Sequence, residues 1–331
     1  MSSQSVQLRG AVRAPMLGRD GVAPSRVWLP QGQWRYVGEF LLQRFPHLDS
    51  AQMLRRIERG DIVDARGRPV HYYTPYRPQQ WLWYYRVAEN EVPVPFSLPI
   101  LYADDYLVVV DKPHFLPSIP SGQYLEHTAI ARVRKHFNNY DITPLHRLDR
   151  ETAGVMLFCV QPRYRGVYQA LFQSQDIQKE YEAIAPVPAD RSFPVQVQRR
   201  IQGVPGQFLM QCVEGSPNSD TYIELLSQWQ TNIQLGHFRL QPLTGRKHQL
   251  RVHMRSLGAP IINDRWYAFN EQNTAPTSSA AQDEQLGGTD FKDPLQLLAR
   301  SIAFIDPISC DYREFRSERT LQWLPTSSSS A

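Results

Sequence analysis

Six consecutive apolar residues, Val155 to Val160, follow Gly154 and close off the polar run His146-Arg147-Leu148-Asp149-Arg150-Glu151-Thr152-Ala153. A continuous apolar run this short fits a strand buried on both faces better than a helix. Asp149 then lies on a tight, glycine-containing approach to a sheet, the kind of scaffolded loop that carries chemistry. It sits between Arg147 and Arg150, and flanking guanidiniums favour the ionised carboxylate. An anionic, pre-positioned carboxylate can act as a nucleophile or a base. The same residues also fit a turn former, a helix cap or a surface ion pair, and local physics leaves those readings open.

The rest of the chain supplies neighbours for such a strand. Residues 100–102 and 106–110 read as two strands around an Asp-Asp turn, and 127–138 as an amphipathic helix with Ile130, Val133 and Phe137 on one face. Tyr164 to Gln175 reads as another helix. Lys179 to Ala185 alternates apolar and polar residues, as do segments near 194–201, 207–213, 220–228 and 233–241. Thr244 is placed to cap a helix beginning near Arg246, with Arg251 about one and a half turns in. Residues 270–289 read as a flexible insertion, Leu295 to Ile305 as a return to the core, and 326–331 as a tail. So many strands joined by short turns predict an α+β fold: a large mixed, mostly antiparallel sheet domain spanning about 95–325.

Ahead of it, residues 1–35 are rich in Ser, Gly, Pro and Arg without periodicity and read as a flexible basic arm. Residues 36–90 form a small α/β module. Val37, Phe40, Leu41 and Phe45 have helical spacing, and Asp49 or Ser50 can cap a second helix ending at Gly60. Ile62 to Val70 then reads as a hairpin with an Arg-Gly turn.

The chain has 331 residues and a formal net charge of +4, but the charge is uneven. Residues 1–90 hold 13 Arg and no Lys against 7 acidic residues, a surplus of +6. Guanidiniums fork onto phosphates and stack on bases where ammonium groups cannot. Arg77 and Arg86 interleave with Tyr72, Tyr73, Tyr76, Trp81, Trp83, Tyr84 and Tyr85, a mixture that suits single-stranded or looped RNA, although each ring equally fits the core of a small β-rich unit. No apolar run is long enough to span a bilayer, and no apolar signal core marks the N-terminus. Three cysteines without CxxC spacing argue against a disulfide framework or zinc ribbon and suit a reducing cytoplasm. His248 and His253 are five apart rather than four, so the pattern predicts no metal site.

Residues 146–154 resemble the signature loop of the RluA-type pseudouridine synthases, His-Arg-Leu-Asp-x-x-Thr-Ser-Gly, with eight of nine positions compatible and Ala153 in place of Ser. A second stretch, Thr244-Gly245-Arg246-Lys247-His248-Gln249-Leu250-Arg251-Val252-His253, resembles the same family's Thr-Gly-Arg-x-His-Gln-Leu/Ile-Arg-Val-His helix. The likeness runs on through Gly258-Ala259-Pro260-Ile261 and Asp264 to Tyr267. Lys179-Glu180-Tyr181-Glu182-Ala183 resembles the family's Lys-x-Tyr-x-Ala strand, and Lys112-Pro113 its Lys-Pro dipeptide beside the cleft, with Asp111 where Asn is common. Leu298 stands where the family usually has His. The helices and hairpin of the N-terminal module resemble a small RNA-binding module shared by ribosomal proteins and many pseudouridine synthases.

The resemblance implies an isomerase that converts a uridine of structured RNA, ribosomal or transfer, to pseudouridine, acting as a monomer, without cofactor and away from membranes. It implies Asp149 as the catalytic carboxylate, Arg251 as its ion-pair partner and Tyr181 stacked on the target base. Arg147 would fill the gap left by a flipped nucleotide. Arg246, His248 and Lys112 border the RNA, and Arg55, Arg56 and Arg59 would face phosphates from the second helix. Two alternatives accompany it: a catalytically silent RNA-binding protein on the same fold, and a base-releasing glycosidase using the same carboxylate.

Overall fold

The computed structural model describes residues 14–46, 48–86, 91–203, 208–268 and 291–325. Contacts divide the chain into two compact units, Met1–Ala88 and Glu89–Ala331.

In the first unit, β1 (Ser25–Leu29), α1 (Val37–Arg44), α2 (Ser50–Glu58), β2 (Ile62–Val63) and β3 (Gln80–Tyr84) follow in order. The strands pair as an antiparallel sheet, β1-β3-β2. Val27, Leu29 and Leu82 from the sheet meet Phe40, Leu41, Met53 and Ile57 from the helices in one apolar cluster. The Glu39 carboxylate accepts the backbone N–H groups of Arg35 and Tyr36 at 2.8 and 3.2 Å. Asp49 accepts those of Ala51 and Gln52 and caps α2. That helix ends at Gly60, whose φ of +74° suits glycine. The reading of 1–35 as an arm is corrected by β1. Its five residues lie between Pro24 and Pro30, too few for an alternating pattern to stand out, yet Val27 and Leu29 are buried. Residues 1–13 lie outside the described residues, as do the expected insertion at 270–289 and the tail at 326–331.

The second unit contains β4 (Ile100–Ala103), β5 (Leu107–Lys112), α3 (Ala129–Phe137), β6 (Thr143–Pro144), β7 (Ala153–Cys159), α4 (Arg165–Gln173), β8 (Ile177–Pro186) and β9 (Val195–Gly203). It continues with β10 (Met210–Val213), β11 (Ser219–Gln230), β12 (Gln234–Pro242), α5 (Gln249–Ser256), β13 (Leu297–Ile305) and β14 (Tyr312–Arg316). Among the described residues the strands form an 11-stranded sheet ordered β10-β9-β11-β12-β8-β13-β7-β5-β4, with β6 on β7 and β14 on β13. Its pairings are antiparallel except that of β7 with β13, so the mixed, mostly antiparallel α+β architecture expected from the strand pattern is the one found.

Every residue of β7 is buried, as its unbroken apolar run requires. Side-chain alternation sorts the flanking layers. Val108, Val110, Met156 and Phe158 face Ile130 and Val133 of α3, whereas Leu107, Val109, Val155 and Leu157 face Tyr168 of α4. In the other half, Ala183, Phe238 and Leu240 pack against Leu250 and Met254 of α5.

Gly154 pairs with Ala299 across the parallel ladder. It has φ +114°, and a Cβ there would lie 2.2 Å from the Ala299 carbonyl oxygen. No other residue type fits this crossing. Ala153 and Leu298, two of the positions where the chain departs from the family pattern, are themselves register partners in that ladder. Both are buried in one apolar cluster with Ile184 and Leu321.

Candidate active site

The loop 146–152 is held almost residue by residue. Ser118 Oγ donates to the Leu148 carbonyl at 2.6 Å and accepts the Leu148 N–H at 3.0 Å. Lys112 Nζ donates to the carbonyls of Pro113, Leu116 and Arg150 at 3.0, 2.8 and 3.2 Å. His114 Nδ1 donates to the Glu151 carbonyl at 2.6 Å, and Thr152 N–H donates to that of Asp149 at 3.2 Å. At the loop's start, His146 Nε2 accepts the Leu157 N–H, and its ring stacks on Phe172. With the backbone fixed in this way, the Asp149 side chain projects into a cleft of about 520 Å³ that it shares with Arg147, Lys179, Tyr181, Arg246 and Arg251.

The reading of Lys112 as an RNA contact is corrected by these bonds. Its side chain is fully buried and its three donors are taken by carbonyls, one of them in the Asp149 loop. Burial pushes its pKa down to about 7, against the pull of Glu151 and Asp149. Neighbouring Asp111 accepts from Ser317 Oγ and the Glu318 N–H and pairs with Arg319, tying β5 to the segment after β14.

Arg251 reaches the cleft from α5. That helix begins at Gln249, not near Arg246, so Arg251 stands in its first turn. Thr244 does not cap it. Thr244 Oγ1 donates to Gln249 Oε1, which also accepts the Arg246 N–H, and Gln249 Nε2 donates to the Asp220 carbonyl and Thr221 Oγ1. The Thr-Gly-Arg-x-His-Gln stretch is thus a turn folded around a buried glutamine.

Arg251 Nη1 lies 3.5 Å from Asp149 Oδ2, bringing together the two residues expected to pair. The expected pairing was incomplete, because Nε and Nη2 of Arg251 grip Asp264 at 2.8 and 2.7 Å and Glu151 lies 4.0 Å from Nη1. Asp264 Oδ1 also accepts the N–H groups of Trp266 and Tyr267. Burial works to lower the Arg251 pKa, but Asp264, Asp149 and Glu151 outweigh it and keep the guanidinium charged. Burial works to raise the pKa of Asp149, and its neighbours His248, Arg251 and Arg147 turn the net shift downward. His248 is itself pushed down to about 4, first by burial, so at neutral pH the standing cations are Arg251 and Arg147. The Asp149 side chain remains 24% exposed: ionised, held and open to the cleft.

Tyr181 stands on β8, its register partners Leu240 and Ala299. Burial, then the charge of Asp149, pushes its hydroxyl pKa upward, so it stays protonated. Lys179 shares its strand face, donates to the Thr244 carbonyl at 3.2 Å and is pushed down to about 8 by burial. Arg147 and Arg246 are exposed at the cleft, and Arg246 Nε donates to the Asn218 carbonyl. His248 is a correction: its side chain is 2% exposed and bonded to Tyr267, so it lines the cleft from within instead of offering a surface contact.

In the first unit, Arg55 and Arg59 are exposed on α2. Arg56 is not available as expected; its guanidinium donates to the Tyr85 carbonyl and lies near the Tyr84 ring. Sequence reasoning missed Asp264, Ser118 and His114. Asp264 could have been singled out as a carboxylate 13 residues after Arg251 in the same conspicuous stretch; Ser118 and His114 carry no local signal. Among the described residues, no group of three or more His, Cys, Asp and Glu side chains is placed to hold a metal ion, and no helix is long and apolar enough to cross a membrane.

The family model described as RNA pseudouridylate synthase matches residues 106–256. An uncharacterized RNA pseudouridine synthase of Synechocystis is 29% identical over 233 residues, covering 69% of this chain and 78% of that protein. The dual-specificity RNA pseudouridine synthase RluA of Escherichia coli is 33% identical over 179 residues, covering 53% of this chain and 78% of the relative. The solved structure of human RNA pseudouridylate synthase domain containing 1 superposes with a TM-score of 0.52 at 22% identity, covering 67% of this chain and 84% of that one, a likeness of fold.

Proposed function

The chain belongs to the RluA-type family of RNA pseudouridine synthases, and from that membership we propose that Asp149 is the catalytic carboxylate with which it isomerises a uridine of structured ribosomal or transfer RNA. In that reaction the N1–C1′ bond breaks, the uracil turns and a C5–C1′ bond forms. The C5 proton leaves to solvent and N1 takes one up. No electrons are exchanged with a partner and no group is transferred away.

The observation that carries this reading is an ionised carboxylate on a rigid loop, in contact with a buried arginine and facing a cleft of single-nucleotide scale. A stacked base cannot reach such a carboxylate, so the nucleotide must leave its helix or loop, at a cost of a few kcal/mol. In this reading Tyr181 stacks on the extruded uracil, Arg147 fills the space it vacates, and Arg246 meets the flanking backbone. Arg251, anchored by Asp264, keeps Asp149 anionic and oriented, whether the carboxylate attacks the ribose, adds to the ring or removes a sugar proton. Arg55 and Arg59 add phosphate contacts from the first unit. We place the activity in a reducing cytoplasm and in a monomer.

The silent-protein alternative rested on Ala153 and Leu298. These two residues pair with each other in an apolar cluster, and neither lines the cleft. An apolar pair replacing a polar one conserves packing without touching Asp149, Tyr181 or Arg251.

The test is pseudouridine mapping of total RNA by carbodiimide labelling and primer extension, in cells with and without the gene. A site lost in the deletion and restored by wild type but not by Asp149→Asn supports the assignment. Restoration by Asp149→Asn removes the carboxylate from the chemistry, and free uracil as product would favour the glycosidase.

A further inference from the structure

His248 occupies an unusual position for its residue type. It precedes α5 in the left-handed region, φ +55° and ψ +18°, which is uncommon outside glycine. Its buried ring lies against Phe208 and Tyr267, at centroid distances of 4.9 and 5.6 Å.

The hydrogen bonds around the ring decide its protonation. Tyr267 Oη accepts the Met210 N–H at 2.9 Å and lies 2.8 Å from His248 Nδ1. The phenol has one proton, and donating it to Nδ1 satisfies every group in the chain Met210–Tyr267–His248. An Nδ1–H would instead point at the phenol and leave its proton without that acceptor, a costly arrangement for a buried hydroxyl. Nδ1 therefore accepts, and the single imidazole proton sits on Nε2. That atom faces Asp149 Oδ1 at 4.0 Å, while Arg251 approaches Oδ2. Catalytic hydrogen bonds are often long in an unliganded site and tighten when substrate closes it.

We propose that His248 is a positioning residue for Asp149: a neutral Nε2–H donor aimed at Oδ1, its tautomer set by Tyr267, that fixes the carboxylate's rotation while Arg251 supplies the charge. The two donors divide the work. A further cation beside Arg251 and Arg147 would over-stabilise the carboxylate and weaken it as a nucleophile or base, whereas a neutral N–H steers without adding charge. The charged groups around the imidazole are Asp149, Arg251, Lys247 and Asp264. The role rests on Asp149 being the acting carboxylate.

The test uses full-length protein and transcripts of transfer and ribosomal RNA carrying tritium at uridine C5, which isomerisation releases to solvent. A glutamine side chain places an amide nitrogen near the Nε2 position, and asparagine near Nδ1. His248→Ala and His248→Asn are expected to lose about 10- to 100-fold in kcat, the scale for a reacting group misplaced by up to about 1 Å, with KM within a few-fold. His248→Gln is expected to recover most of that loss, and Tyr267→Phe to fall between. His248→Gln no faster than His248→Ala, or His248→Asn as fast as wild type, overturns the role. The ¹⁵N shifts of the imidazole give a readout independent of turnover, with the neutral Nε2–H form expected at pH 7. An Nδ1–H form or an imidazolium overturns the assignment whatever the activity. A wild type that releases no tritium while those shifts are as expected faults the proposed reaction and leaves the hydrogen-bond assignment standing.

Discussion

Arg251 gives its two shortest ion-pair contacts to Asp264, at 2.7 and 2.8 Å, and only a 3.5 Å contact to Asp149. The fork of the guanidinium is used for anchorage, and the remaining nitrogen, Nη1, is turned toward the cleft. An arginine held by Asp149 alone would follow every movement of that carboxylate. Held by a fully buried Asp264, it is a fixed charge beside Asp149 whose position does not depend on that carboxylate.

Asp264→Asn is therefore expected to be more damaging to folding than Asp149→Asn. Removing one partner of a buried pair costs about 3–5 kcal/mol, whereas Asp149 is partly exposed and leaves Arg251 its other partners. Urea unfolding of the two variants should show a large drop in midpoint for Asp264→Asn and a small one for Asp149→Asn. Equal midpoints would mean that Asp264 does not carry the anchorage.

Gly154→Ala places a Cβ against the Ala299 carbonyl and imposes a left-handed φ on alanine. The combined clash and backbone strain is expected to cost about 3 kcal/mol or more. The variant should melt well below wild type, with the loss of turnover tracking the loss of folded protein. An unchanged melting temperature would show that β13 can move away from β7.

Four histidines, His248 and His253 buried and His114 and His146 half-buried, set the response to acid. His114, His248 and His253 are pushed down to about 4 and His146 to about 3, in each case by burial first. In the unfolded chain they titrate near 6.5, so between about 6.5 and 4 the unfolded state binds more protons and stability falls as pH falls. Glu182 adds to this. Burial works to raise its pKa, but hydrogen bonds from His237 and Arg300 hold it at about 2. Its contribution, complete above about 4.5, is lost between there and about 2. Denaturant titrations at pH 7, 5.5 and 4.5 should show a steady decline; a flat profile down to 4.5 would mean the histidines are charged in the fold.

Arg55 and Arg59 are exposed on α2, whereas Arg56 bonds to a backbone carbonyl. Arg55→Ala with Arg59→Ala is expected to weaken RNA binding and reduce its salt slope by about two, roughly 0.9 per phosphate contact on a duplex, at unchanged stability. Arg56→Ala should instead destabilise the unit. Filter binding across a salt series separates the cases, and an unchanged slope in the double variant removes α2 from the RNA interface.

Much of this organisation was legible in the sequence because it is periodic. The unbroken run of β7 and the alternation of β8 to β12 each reflect a local rule about which faces are buried. Asp149, Tyr181 and Arg251 could be grouped through the family motifs and do share one cleft. What escaped detection is non-local. That Asp264 outcompetes Asp149 for Arg251, and that Ser118, His114 and Lys112 hold the Asp149 loop, follows from contacts between distant segments with no pattern of their own. The N-terminus of α5 was misplaced because Thr244 bonds a glutamine side chain where capping rules expect the helix backbone. β1 was missed because two prolines flank a strand of five residues.

Ala299 is the register partner of Tyr181 on one side and of Gly154 on the other. The strand bearing the tyrosine and the loop bearing the carboxylate never pair directly; β13, more than a hundred residues later, is wedged between them. A growing polypeptide that has not yet produced β13 already holds every side chain assigned to the chemistry, but without the spacer that sets them at working distance. In such a chain Tyr181 and Gly154 have no common neighbour in the sheet, because the residue that pairs with both belongs to β13.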